Sequence, residues 1–99
     1  MSRHAKSRFK FRLYIAGDAQ NAAHAVANLN ALCQAHLMDR YDIEVVDVFR
    51  EPERALTDRV FMTPTLLKLA PSPAPRRIVG TLSQTQPLLH ALGLEALAA

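Results

Sequence analysis

Met62-Thr63-Pro64-Thr65-Leu66 is the stretch that decides the fold of this chain. A proline held between two threonines, after a short helical pattern and directly before Leu66-Leu67-Lys68-Leu69, suits the tight entry of an edge or turning strand, with a cis bond before Pro64. Upstream, Phe9, Phe11, Leu13 and Ile15 alternate with Lys10, Arg12, Tyr14 and Ala16, which predicts a strand with one buried face ending at Gly17-Asp18. From about Asn21 the spacing turns helical. Val26, Leu29, Cys33 and Leu37 form one stripe, with Ala25, Leu32 and His36 beside it. After a turn at Arg40-Tyr41-Asp42, the run Ile43-Glu44-Val45-Val46-Asp47-Val48-Phe49 is β-branched and apolar on nearly both faces, as an inner parallel strand would be.

Downstream readings complete a βαβαββα order. Pro52 suits the first turn of a helix that Ala55, Leu56, Arg59 and Val60 carry to Phe61. Leu66 to Ala70 and Arg77 to Gly80 read as strands, joined by the proline-rich loop Pro71-Ser72-Pro73-Ala74-Pro75. Ser83-Gln84-Thr85-Gln86 has the form of a capping box before a last helix with Leu88, Leu89 and Leu92 inward and Gly93 as its stop.

Ninety-nine residues make one α/β domain with a small core, so association is an expected source of extra stability. The net charge of +3 hides an asymmetry: Arg3, Lys6, Arg8, Lys10 and Arg12 hold five of the twelve basic residues, leaving seven against nine acids. A nucleic-acid binder concentrates positive charge on its folded face with aromatics interleaved, and this body does neither. No membrane segment or signal peptide is visible, and the single Cys33 forms no internal disulfide, which together read as cytoplasmic. Cys33 fits a small apolar role, and His4, His24, His36 and His90 lack metal-ligand spacing.

The element order and the proline at strand entry resemble a thioredoxin-like fold. A thioredoxin also carries Cys-x-x-Cys after its first strand, where this chain has Gly17-Asp18-Ala19-Gln20-Asn21. A redox or thiol-binding protein of that fold is therefore the alternative reading. A closer resemblance comes from an ordered set: Leu13-Tyr14-Ile15-Ala16-Gly17, Val46-Asp47-Val48, Met62 to Leu66, Pro71-x-Pro73 followed by Arg76-Arg77-Ile78-Val79-Gly80, and Leu82-Ser83. Across residues 9–94 these resemble the KaiB family of clock proteins, and they are similar to the N-terminal sensory domain of SasA.

The resemblance implies a binding protein with no catalytic residues and no cofactor. Its partner would be the N-terminal ring of a KaiC-type ATPase, with KaiA-type or SasA-type proteins as further partners. It also implies a metamorphic chain, with a tetrameric or dimeric resting form and a monomeric thioredoxin-like binding form. Matched to the family, Arg59, Lys68, Arg76, Arg77 and Tyr41 are the partner-binding candidates, and Pro64, Pro71, Pro73, Ala91 and Gly93 belong to the switching half. Many relatives have Gly at Ala91 and Asp at Gly93, so this chain is expected to lean toward the helical, thioredoxin-like form. The expected division is a flexible basic N-terminus at 1–8, the domain at 9–94 and a tail at 95–99. Departures from the family include His24, Ser72, the missing proline at the start of the long helix, and Glu44, where a lysine is common. The charge reversal at Glu44 points to a divergent partner.

Overall fold

Alternation in the first strand and helical spacing in the segment after it both hold in the computed structural model, which describes residues 8–17, 20–71 and 76–80. The elements are β1 (Phe9–Ile15), α1 (Gln20–His36), β2 (Tyr41–Asp47), α2 (Pro52–Thr57), β3 (Thr65–Ala70) and β4 (Arg76–Val79). They form one four-stranded sheet in the order β2-β1-β3-β4. The β1–β2 pair is parallel, and β3 runs antiparallel to both β1 and β4. The last predicted helix, with Ala91 and Gly93, and the loop positions Ser72, Pro73, Ala74 and Pro75 lie outside the described residues.

Two strand placements differ from the sequence reading. The β-branched β2 is an edge strand, with Val45 44% exposed, whereas β3 is internal and buried along Thr65 to Lys68. β1 takes the centre instead, because both its faces are covered. Phe9, Phe11 and Leu13 join Ala25, Leu29, Leu32, Cys33, Leu37 and Leu66 in the larger core under α1. On the other face Tyr14 joins Val46, Ala55, Val60 and Leu67 under α2. A tyrosine in the polar register of β1 could be buried because its ring fills that second core while its hydroxyl finds partners.

The helix boundaries also moved. α2 stops at Thr57 rather than Phe61, because Arg59 takes a left-handed backbone at φ 57°. Arg59 N–H then bonds Leu56 O at 3.0 Å and Val60 N–H bonds Ala55 O at 2.8 Å, the two bonds of a Schellman stop, and Val60 turns into the core. The turn after α1 falls at 37–39, so Tyr41 and Asp42 already pair with β1. The Thr63–Pro64 bond is cis, as expected, and the Ala70–Pro71 bond is cis as well.

Candidate functional site

Strand register places one row of side chains across the sheet on the face that α2 covers. Glu44 of β2 stands opposite Arg12 of β1, Arg12 opposite Leu67 of β3, and Leu67 opposite Arg77 of β4. One step along β1, Tyr14 lies on the same face by the alternation of the strand. The end of α2 settles over this row, and Asp58 is its hub. Its carboxylate accepts Tyr14 Oη at 2.5 Å and Arg12 Nη1 at 3.0 Å, while its backbone oxygen accepts Arg77 Nη2 at 2.5 Å. Arg77 Nη1 also donates to Arg59 O at 3.0 Å, so one guanidinium fork closes the end of the helix.

A second bridge fastens the start of α2. Glu44 accepts Arg12 Nε at 2.9 Å on one oxygen and Arg54 Nη1 at 2.8 Å on the other. Those bonds, from Arg54 first and Arg12 next, hold the Glu44 carboxyl down at about 2. The bond from Tyr14 and then the contact with Arg12 hold Asp58 below the usual carboxylate range against its partial burial. Burial, reinforced by Asp58, pushes the Tyr14 hydroxyl up to about 12, so it is a proton donor at physiological pH.

Two clefts flank Asp58. One, of about 340 Å³, is lined by Arg12, Tyr14, Glu53, Arg54, Thr57 and Asp58. The other, of about 360 Å³, is bounded by Thr57, Arg59, Leu67, Leu69 and Arg77 together with Asp58. Arg59 and Arg77 are thus brought together, both exposed. Lys68 is not: it alternates with Leu67 onto the opposite face and is only 4% exposed. Arg76 is opposite Lys68 in the register. Tyr41 is half-buried at the start of β2 and packs against the α1 core, away from α2. Arg8, placed by the sequence reading in the flexible terminus, is tied to Asp42 at 2.7 and 2.9 Å.

The sequence reading missed Asp58, Arg12, Arg54 and the internal bonds of Glu44. It also missed an apolar rim at the end of the sheet. Phe49, leaving β2, is 75% exposed, and Phe61, approaching Pro64, is 82% exposed with Met62 beside it also exposed. Asp47 Oδ1 accepts the N–H groups of Gly17 and Phe49 at 3.1 and 2.9 Å, fixing this corner. Gly17 has φ 59°, and a Cβ there would meet the Phe49 ring at 3.3 Å, so the corner favours glycine.

Among the described residues, no three His, Cys, Asp or Glu side chains gather as metal ligands. No described helix is long and apolar enough to cross a membrane. Cys33 is fully buried, and burial pushes its thiol up to about 12. The arrangement offers charged and apolar contact surface around α2.

Residues 12–94 match the family model described as the KaiB domain. The chain is 40% identical over 89 residues to circadian clock protein KaiB3 of Synechocystis sp., covering 90% of this chain and 84% of that protein. It is 35% identical over 89 residues to circadian clock oscillator protein KaiB of Cyanothece sp., covering 90% and 84%. Among solved structures, it matches the N-terminal domain of Synechococcus elongatus SasA with a TM-score of 0.71 at 19% identity, over 88% of this chain and 85% of that one. Fasciola hepatica thioredoxin matches with a TM-score of 0.69 at 18% identity, over 91% and 84%. At those identities the structural matches establish the thioredoxin-like fold alone.

Proposed function

The chain belongs to the KaiB family of circadian clock proteins, and on that premise we propose that it binds the N-terminal ATPase ring of a KaiC-type partner and modulates its phosphorylation or ATPase cycle without catalysis of its own. The observation that carries this reading is the KaiB-domain match over residues 12–94 in a chain whose first strand leads into Gly17 with no Cys-x-x-Cys after it and whose sole cysteine is sealed in the core. Arg59 and Arg77 form the basic part of the docking face, and Phe49, Phe61 and Met62 supply its apolar part; arginines and aromatics are the residue types that anchor interfaces. Arg76 is a further candidate from the family match, whereas the burial of Lys68 and the half-buried place of Tyr41 against the α1 core give those two supporting roles in this form.

Further features of the reading follow from the family. The second half, with Pro64, Pro71, Pro73, Ala91 and Gly93, is the part that rearranges between a tetrameric or dimeric resting form and a monomeric thioredoxin-like form. Such a change requires two packings within a few kcal/mol of each other. KaiA-type and SasA-type proteins are further partners, residues 9–94 form the working domain, and the chain acts in the cytoplasm.

Titration of a purified KaiC-type ATPase from the same cell with the wild-type protein and with Arg59→Glu tests the reading. Arg59 is the suitable position, because reversal at Lys68 would bury the wrong charge and reversal at Arg77 would release the end of α2. Binding that weakens by tenfold or more in Arg59→Glu supports the reading, at the scale of a lost arginine anchor. Absence of any complex with the wild type refutes it. The thioredoxin-like fold keeps a redox function as the second reading, and catalysis of insulin reduction would favour it.

A further inference from the structure

We propose that Asp58, absent from the candidate set drawn from the sequence, is the positioning residue of the docking face, fixing Arg59 in its left-handed turn through Tyr14, Arg12 and Arg77. Only the last step, from the pose of Arg59 to partner affinity, rests on the function proposed above.

The need for such a residue comes from α2 itself. Six residues are too few for a helix to persist on its own propensity. Its N-cap Glu51 makes no side-chain capping bond, and the helix buries only Ala55. Beyond the small apolar seat of Ala55 and Val60, what fastens it to the sheet is polar: Arg54 on Glu44, Asp58 on Tyr14 and Arg12, and Arg77 on the carbonyls of Asp58 and Arg59 just past its end. Asp58 is the one residue in this set that engages both β1 and β4, by its carboxylate on one side and its backbone oxygen on the other. Tyr14 has a single hydroxyl proton to give, and the 2.5 Å contact to Asp58 is shorter than the 3.1 Å contact to Arg54 O. The residue directly after this anchor is Arg59, whose φ of 57° lies in the left-handed region that L-amino acids adopt uncommonly. Release of Asp58 would let Arg59 relax toward the right-handed region, swinging its guanidinium away and dissolving the Schellman bonds of Arg59 and Val60.

The test joins local hydrogen exchange to a binding cycle. In Asp58→Asn the amides of Arg59 and Val60 should lose protection about tenfold, the scale of one charge-assisted bond partly screened by water, while those of Leu13 and Leu66 keep theirs. Tyr14→Phe should give the same local loss, and it decides the matter if Asp58→Asn does not fold. Affinity for the KaiC-type ATPase should fall with Asp58→Asn in the wild-type background and should not fall further in Arg59→Ala, since a residue acting through Arg59 has no effect without it. Unchanged protection at Arg59 and Val60 overturns the proposal whatever the partner does. Additive losses of affinity overturn the link from Asp58 to Arg59. If the wild type binds no KaiC-type ATPase, the function above fails, and the exchange data alone decide whether Asp58 holds the turn.

Discussion

Replacing Arg59 with glycine should make the protein more stable and a poorer partner at once. Arg59 sits at φ 57° in the position just past a helix end that glycine most often fills. An L-residue there costs about 1–2 kcal/mol, and glycine returns about 0.4–1 kcal/mol of that by loosening the unfolded chain, so the net gain is about 0.5–1 kcal/mol. For a domain of this size such a gain raises Tm by about 3–6 °C. The bonds Arg77 makes here are to backbone oxygens of Asp58 and Arg59, so they survive the change. Loss of an exposed arginine anchor should weaken the KaiC-type complex by about thirtyfold, corresponding to about 2 kcal/mol. Thermal unfolding followed by circular dichroism measures the first effect, and calorimetric titration measures the second. Arg59→Ala separates them, since it removes the guanidinium without relieving the backbone. A Tm for Arg59→Gly at or below wild type refutes the strain argument. Wild-type affinity in both variants refutes the anchor.

Three other outcomes are expected. Glu44→Gln should lower the urea midpoint at pH 7, and the gap from wild type should close on acidification. The folded pKa of Glu44 lies below its unfolded value, so its contribution is present above about 4.5 and is lost as pH falls toward about 2; a gap constant from pH 7 to pH 3 contradicts this. Lys68→Glu should cost about 3 kcal/mol in chemical denaturation, because Lys68 is buried and reversing its charge leaves a buried carboxylate opposed to its surroundings; a cost under about 1 kcal/mol would show that water reaches this site. Cys33 should resist labelling by a thiol-reactive disulfide reagent in the native protein at pH 8 and react once unfolded, given its burial and a thiol pushed up to about 12; rapid native labelling would place it outside the core.

Periodicity made the larger elements legible because burial on one face leaves a trace in every second or every third and fourth residue. Leu29, Cys33 and Leu37 lie in the core as their spacing predicts, and Pro64 enters its strand through a cis bond. Strand order was not legible in the same way. The run from Ile43 to Val48 reads as internal because its side chains are apolar, but a strand's place in the sheet depends on which backbone edges are paired. β1 offers a tyrosine that the second core can accept, and so it takes the centre. The stop of α2 was hidden for a related reason: the left-handed residue after a helix is signalled by glycine, and here the position holds an arginine fixed by contacts forty or so residues away in sequence, through Tyr14 and Asp58.

Glu44 shows how this limit shapes the reading of a site. Seen along the chain, an acid where the family resemblance leads one to expect a lysine reads as a reversed charge and points outward, to a partner with altered complementarity. In the fold it faces Arg12 across the parallel pair and Arg54 from the helix above, and both guanidinium groups are already committed to it. A carboxylate neutralised from two sides has little field left to offer a partner. Its carboxylate therefore serves the fold, tying α2 to the parallel pair through Arg54 and Arg12. The signal was present in sequence as two spacings, Arg12-x-Tyr14 on one strand and Arg54 four residues before Asp58 on the short helix. Neither is informative until the register of β1 against β2 is known, because only that register decides which acid each arginine meets.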